Sequence, residues 1–162
     1  MATRTPIAGS GIGLVGWALR GAAAGAAGTT ALNVVTYLDM AVRGRPASST
    51  PERTLEQLAE TAHVAIPGDG KTRANRVEGL GSLTGLLAGV GVGGLFGLAR
   101  ASGFRAGTLL TTVVVLVSTN GPMAALRITD PRTWSRTDWI SDVVPHLAYG
   151  ALVATTMDAF DR

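Results

Sequence analysis

The chain has 162 residues, enough for one compact domain, with 46% apolar residues, only 15% charged ones and a net charge of +3. Soluble proteins carry about 25% charged residues, so the deficit and the long uncharged stretches argue against an ordinary soluble domain. The slight basic excess, nearly all arginine beside apolar segments, does not make a nucleic-acid surface. The absence of cysteine excludes disulfides, thiolate metal sites and a cysteine nucleophile.

The first apolar run, Ile7 to Leu19, is too short to span a bilayer and ends at Arg20. Two readings stand for it. It extends the helix that follows, or it is the core of a signal peptide, with Arg4 before it and the small residues Ala22 to Ala24 after it. Arg20 interrupts that join, which favours the extension.

A helix needs roughly 20 mainly apolar residues to cross a bilayer, and four stretches qualify: 21–42, 77–98, 106–126 and 139–160. Arg20, Arg43, Arg76, Arg100, Arg105, Arg127 and Arg136 bracket them, and Trp134 and Trp139 stand where an interfacial aromatic belt would lie. Only Ala101 to Arg105 separate the second and third stretches, which predicts an antiparallel hairpin. The expected fold is all-α: a single membrane domain over 1–162, a polytopic transmembrane four-helix bundle.

The longest connection, 43–76, begins at Arg43-Gly-Arg-Pro46, which stops the first helix. Thr50, Pro51 and Glu52 then read as cap, first-turn proline and acidic first turn. Leu55, Leu58, Ala59, Ala62 and Ile66 recur at helical spacing, so a short amphipathic helix is expected over about 51–66, on the membrane surface or over the bundle. Pro67-Gly68-Asp69-Gly70 ends it. The basic side chains concentrate in loops 43–76 and 127–138, which places those loops in the cytoplasm and both termini outside.

The second stretch carries glycine at every fourth position: Gly81, Gly85, Gly89, Gly93 and Gly97. In water each would cost about 1 kcal/mol against alanine. In lipid the helix forms regardless, because unsatisfied backbone groups are costlier still, and small residues permit close helix approach. The first helix offers a matching face in Gly21, Gly25 and Gly28. Internal packing of these two helices is the first reading. A homo-oligomer, or another membrane protein docked on the glycine faces, is the second.

Ionisable groups inside membrane helices are expensive and point to function by default. Asp39, Asp142 and His146 qualify, with Asn33, Tyr37, Asn120 and Tyr149 as uncharged company, and Glu78 sits at a helix start. By the antiparallel order all fall in one half of the bilayer, where a polar vestibule is expected. Asp142, His146 and Tyr149 share a helix face at spacings of four and three, a set able to relay a proton. Pro145 and Pro122 each free a helical carbonyl nearby. The structural alternatives are an Asp39–Arg43 pair, a capping Asp142, and His146 bonded to Asn33, Tyr37 or Asn120. Asp158 and Asp161 are expected to be exposed at the far end of the last helix. No zinc-protease, Walker or dinucleotide motif occurs in a suitable context, and no spacing supports a metal or cofactor site.

Ala31-Leu-Asn-Val-Val-Thr-Tyr-Leu-Asp-Met40, Arg43-Gly-Arg-Pro46 and Asp142-Val-Val-Pro-His-Leu-Ala-Tyr-Gly150 together resemble a group of small, uncharacterised multi-span membrane proteins of high-GC actinobacteria. The resemblance covers most of the chain. It implies a multi-pass protein of a bacterial inner membrane and adds weight to Asn33, Asp39, His146 and Tyr149, but it carries no activity. The expected function is that of a non-enzymatic, membrane-resident accessory, stress-related or assembly factor. The alternative is a small proton-coupled transporter or channel using Asp142 and His146. A membrane enzyme with His146 as base is a third option.

Overall fold

The computed structural model describes residues 12–162. The expectations for Arg4 and for the start of the apolar run, residues 7–11, lie outside the described residues. Among the described residues the fold is all-helical: α1 (Leu14–Arg43), α2 (Thr50–Thr61), α3 (Gly70–Ala101), α4 (Thr108–Ala125) and α5 (Arg136–Ala159), with a 3-10 turn at Pro131–Thr133.

The helices outrun the apolar windows. Leu14 to Leu19 belong to α1, so the later part of the first apolar run does extend the helix. α3 starts at Gly70 rather than near 77, because Lys71 to Arg76 contain no residue that breaks a helix. α2 stops at Thr61, short of the predicted 66. There His63 turns left-handed (φ 54°) and the amide of Val64 bonds back to Ala59 at 2.8 Å, a Schellman-type ending that shields the last carbonyls.

Two of the helices, α3 and α4, are long and apolar enough to cross a membrane. Only 11% and 17% of their most apolar windows are buried, unlike the core helices of a soluble domain. These two helices suggest membrane association. α1 and α5 do not reach the same apolarity: α1 is built largely from alanine, glycine and threonine, and α5 carries Asp138, Asp142, His146 and Asp158.

In space the order is α2, α3, α1, α5, α4. α1 packs most extensively on α3 and then on α5, α4 packs on α5, and α3 and α4 barely touch. The predicted hairpin is therefore a turn in the chain without lateral packing. Small residues decide the neighbours. A Cβ on Gly25 would stand 2.6 Å from the Gly89 carbonyl, one on Gly21 2.6 Å from the Gly97 amide, and one on Gly93 2.5 Å from the Gly25 Cα. α1 and α3 thus touch backbone to backbone. On the other side of the bundle, Gly150 lets α5 approach α4, where a Cβ would meet the Thr108 carbonyl at 2.9 Å.

The ladder does not act as one unit. Gly89, Gly93 and Gly97 lie against α1, while Gly81 lies against Pro51 and Glu52 of α2. Gly85 faces open space, with nothing within 4 Å of its Cβ position. Gly28 packs on Tyr149 and Val153 of α5, not on α3. The cause is the roughly 40° drift of a four-residue repeat on a 3.6-residue helix, which rotates the stripe out of one contact and into the next.

The interior is small and partly polar, with Ala24, Val115, Tyr149, Val153 and Met157 as its apolar centre and Thr29, Thr111 and Thr112 buried beside them. Large apolar side chains point outward from every long helix: Leu19 is 66% exposed, Leu95 66%, Leu109 75% and Ile140 61%.

Candidate functional site

α5 is launched by a reciprocal cap. The Ser135 side chain accepts from the Asp138 amide at 3.2 Å, and the Asp138 carboxylate accepts from the Ser135 amide at 2.9 Å. The hydrogen bonds to Ser135 hold the Asp138 carboxyl below the usual carboxylate range. Because the cap lies at Ser135, Asp142 sits in the second turn and does not cap the helix. It is free to point sideways toward α4.

There it meets Asn120, whose side-chain amide donates to the Asp142 carboxylate at 2.7 Å. That contact fixes the amide orientation, since the opposite flip would set oxygen against oxygen. The Asn120 side-chain oxygen is left buried, with no partner among the described residues. One turn along α5, His146 donates from Nδ1 to the Asp142 backbone carbonyl at 2.7 Å, with the Asp142 carboxylate 3.4 Å from the same nitrogen. Its Nε2 lies 3.3 Å from the Thr119 hydroxyl, whose own hydrogen is committed to the Val115 carbonyl at 2.9 Å. Both ring nitrogens therefore face oxygen. The His146 and Asp142 side chains keep 11% and 20% exposure, so the cluster lies just beneath the surface.

The other sequence candidates separate from this cluster. Tyr149 is fully buried and donates to the Gly89 carbonyl at 2.6 Å, a link between α5 and α3 rather than a relay member. Asp39 is held by Arg43 at 2.5 Å and by Arg45 at 2.6 Å, the local pairing the spacing allows. Arg43 also donates to Ser141 at 2.5 Å, which sets the end of α1 beside the start of α5. Asn33 and Tyr37 point outward, Tyr37 with 61% exposure, so neither lines a shared vestibule or reaches His146. Glu78 is exposed as well. No family model, curated protein or solved structure matches the chain.

The opposite end holds a cluster that sequence reasoning missed. The Arg100 side chain is only 4% exposed and binds Asp158 at 2.5 Å; its Nε donates to Asp161 at 2.9 Å, and Arg105 reaches Asp161 at 3.0 Å. Arg20 donates to the Phe160 carbonyl at 3.2 Å and lies 5.3 Å from the Trp17 ring and 5.4 Å from that of Phe160. Asp161, expected to be exposed, is only 16% exposed, and its bond to Arg100 holds its carboxyl below the usual range against the opposing effect of burial. The spacing of Asp158 and Asp161, three apart across the C-terminal end of α5, was the available signal. Thr119 gave none beyond its place next to Asn120.

Proposed function

We propose that the protein is a multi-pass integral membrane protein of a bacterial inner membrane, with α1, α3, α4 and α5 each crossing the bilayer and α2 lying at its surface. We further assign it the role of a non-enzymatic accessory, stress-related or assembly factor. One observation carries the membrane reading: glycine, alanine and threonine fill the helix contacts while leucine, valine and isoleucine face outward on all four long helices. In water the large apolar side chains would be inside. In lipid they cost nothing outside, and small residues give helices their close fit.

The modest hydropathy of α1 and α5 fits this picture, since each packs against helices on two sides through small or polar residues such as Gly25, Thr29, His146 and Gly150. The stretch from Arg20 to Arg43 covers about 35 Å at 1.5 Å per residue, against a hydrocarbon core of about 30 Å. The arginine-rich loops 43–76 and 127–138 are assigned to the cytoplasm. The accessory role is supported by how much of the chemistry is spent on packing: Asp39 and Arg100 are both paired, and one polar cluster remains.

That cluster supports a second reading, a small proton-coupled transporter or channel. Its specific support is the unpartnered Asn120 oxygen beside the Asp142–His146 pair. Flotation with liposomes and resistance to alkaline extraction test the membrane assignment; recovery in the aqueous fraction overturns it. A pH-sensitive dye inside the same liposomes separates the two roles. The accessory reading expects no proton flux, and flux lost in His146→Ala replaces it with the transporter.

A further inference from the structure

We infer that the outward face of α1 around Asn33 is the contact surface for a second copy of this chain. The inference rests on the membrane-spanning assignment above. Gly21 lies against Gly97, Gly25 against Gly93 and Gly89, and Thr29 against Gly89. The same antiparallel register brings Asn33 level with Gly85. At that level the two helices no longer touch: Asn33 is exposed, and the Cβ position of Gly85 meets nothing within 4 Å. The close α1–α3 contact thus stops short of this level, where the Asn33 amide and the Gly85 backbone are both exposed.

Depth makes the amide informative. Asn33 is thirteen residues from Arg20 and ten from Arg43, about 20 Å and 15 Å along the axis, close to the middle of the span. Its side chain makes no hydrogen bond to any described residue, although it carries two donors and an acceptor. An amide left unpaired among acyl chains is costly. Thr30 and Tyr37, one turn to either side on the same face, are also exposed. Thr30 is satisfied by its own helix, donating to Ala26 at 3.0 Å, so Asn33 is the group that needs a partner.

A second copy is the occupant that fits. A carboxamide is complementary to itself, donor to acceptor in both directions, and a two-fold axis near Asn33 pairs both amides at once. Gly85 beside it offers room for the approaching helix. No charge lies at this level of α1; the nearest, Asp39, is already engaged by Arg43 and Arg45.

The chain has no cysteine, so single-cysteine crosslinking in dilute liposomes gives a clean test. Thr30→Cys and Tyr37→Cys keep Asn33 and are expected to crosslink between copies. Val113→Cys, 55% exposed on α4, is expected not to. Adding Asn33→Leu should weaken pairing about tenfold, the scale of an interhelical polar contact, and Asn33→Gln should retain most of it. Absence of crosslinks at positions 30 and 37, equal crosslinking at 113, or indifference to Asn33→Leu overturns the inference. Flotation of the same samples separates the failures. A protein that embeds without pairing leaves the membrane assignment standing, and one that does not embed removes both.

Discussion

The two ends of the bundle handle polar groups in opposite ways. At the turn between α3 and α4, buried Arg100 meets two carboxylates, Asp158 in the last turn of α5 and Asp161 just beyond it, with Arg105 and Arg20 completing a network that joins α1, α3 and the end of α5. At the other end the charges are paired locally, Asp39 with Arg43 and Arg45, and the link between α4 and α5 runs through neutral or singly bonded groups that leave one buried oxygen unpartnered. A fully satisfied network fixes a structure, whereas an incompletely satisfied one is held for another purpose or by another contact. The first end reads as a clasp. The second is where any proton chemistry belongs.

Substitutions that break this division should fall in a definite order. Gly93→Ala forces a methyl group into the α1 backbone, 2.5 Å from the Gly25 Cα, and is expected to unseat α1 from α3, costing about 3 kcal/mol or more. Gly85→Ala, in the same helix and the same repeat, places its methyl group in open space and should change stability by no more than about 0.5 kcal/mol. Thermal unfolding of the two variants in detergent checks the contrast, and equal losses would mean the ladder acts as a single packing unit. Arg100→Ala removes the centre of the clasp and is expected to cost about 2 kcal/mol, less than a fully buried pair because Asp158 is largely exposed and Asp161 keeps Arg105. His146→Ala removes a buried ring that is bonded at both nitrogens and should cost about 1–2 kcal/mol.

The clasp also has a pH signature. Because the folded-state value of Asp161 is lowered, first by its bond to Arg100, its contribution is complete above the ordinary aspartate range of about 4 and is lost as the pH falls through the lowered value. The melting-temperature gap between the parent and Asp161→Asn should therefore stay constant from neutral pH to about pH 5 and close below about pH 4. A gap that persists in acid would contradict a carboxylate role. A smaller effect than that of Arg100→Ala is expected for Tyr149→Phe, which loses one hydrogen bond to Gly89 while keeping its ring in the core, a cost of about 1 kcal/mol.

Much of the fold was legible in the sequence because long apolar stretches and their arginine brackets are local features. The four long helices and the short amphipathic α2 follow from spacing alone. Lateral neighbours do not, since whether Gly28 meets α3 or α5 depends on the angle at which helices cross, and the hairpin expected of α3 and α4 failed for that reason. The candidate site was half legible. Asp142, His146 and Asn120 converge as the spacing and the antiparallel order implied, yet Asn33 and Tyr37 were drawn toward them by polarity when their helix face turns outward. The Arg100 clasp went unread because an arginine beside an apolar segment has the same appearance whether it meets headgroups or is buried against two aspartates at the end of another helix.

The measurement that bears most directly on the four-span arrangement is sidedness of single cysteines in sealed, uniformly oriented vesicles, using a reagent that does not cross the bilayer. Four crossings require Gly13→Cys, Ser102→Cys and Arg162→Cys to react from one side, and Ser48→Cys and Thr133→Cys from the other. If only α3 and α4 cross, Ser102 stands alone and Gly13 and Arg162 react together with Ser48 and Thr133. That pattern would contradict the account.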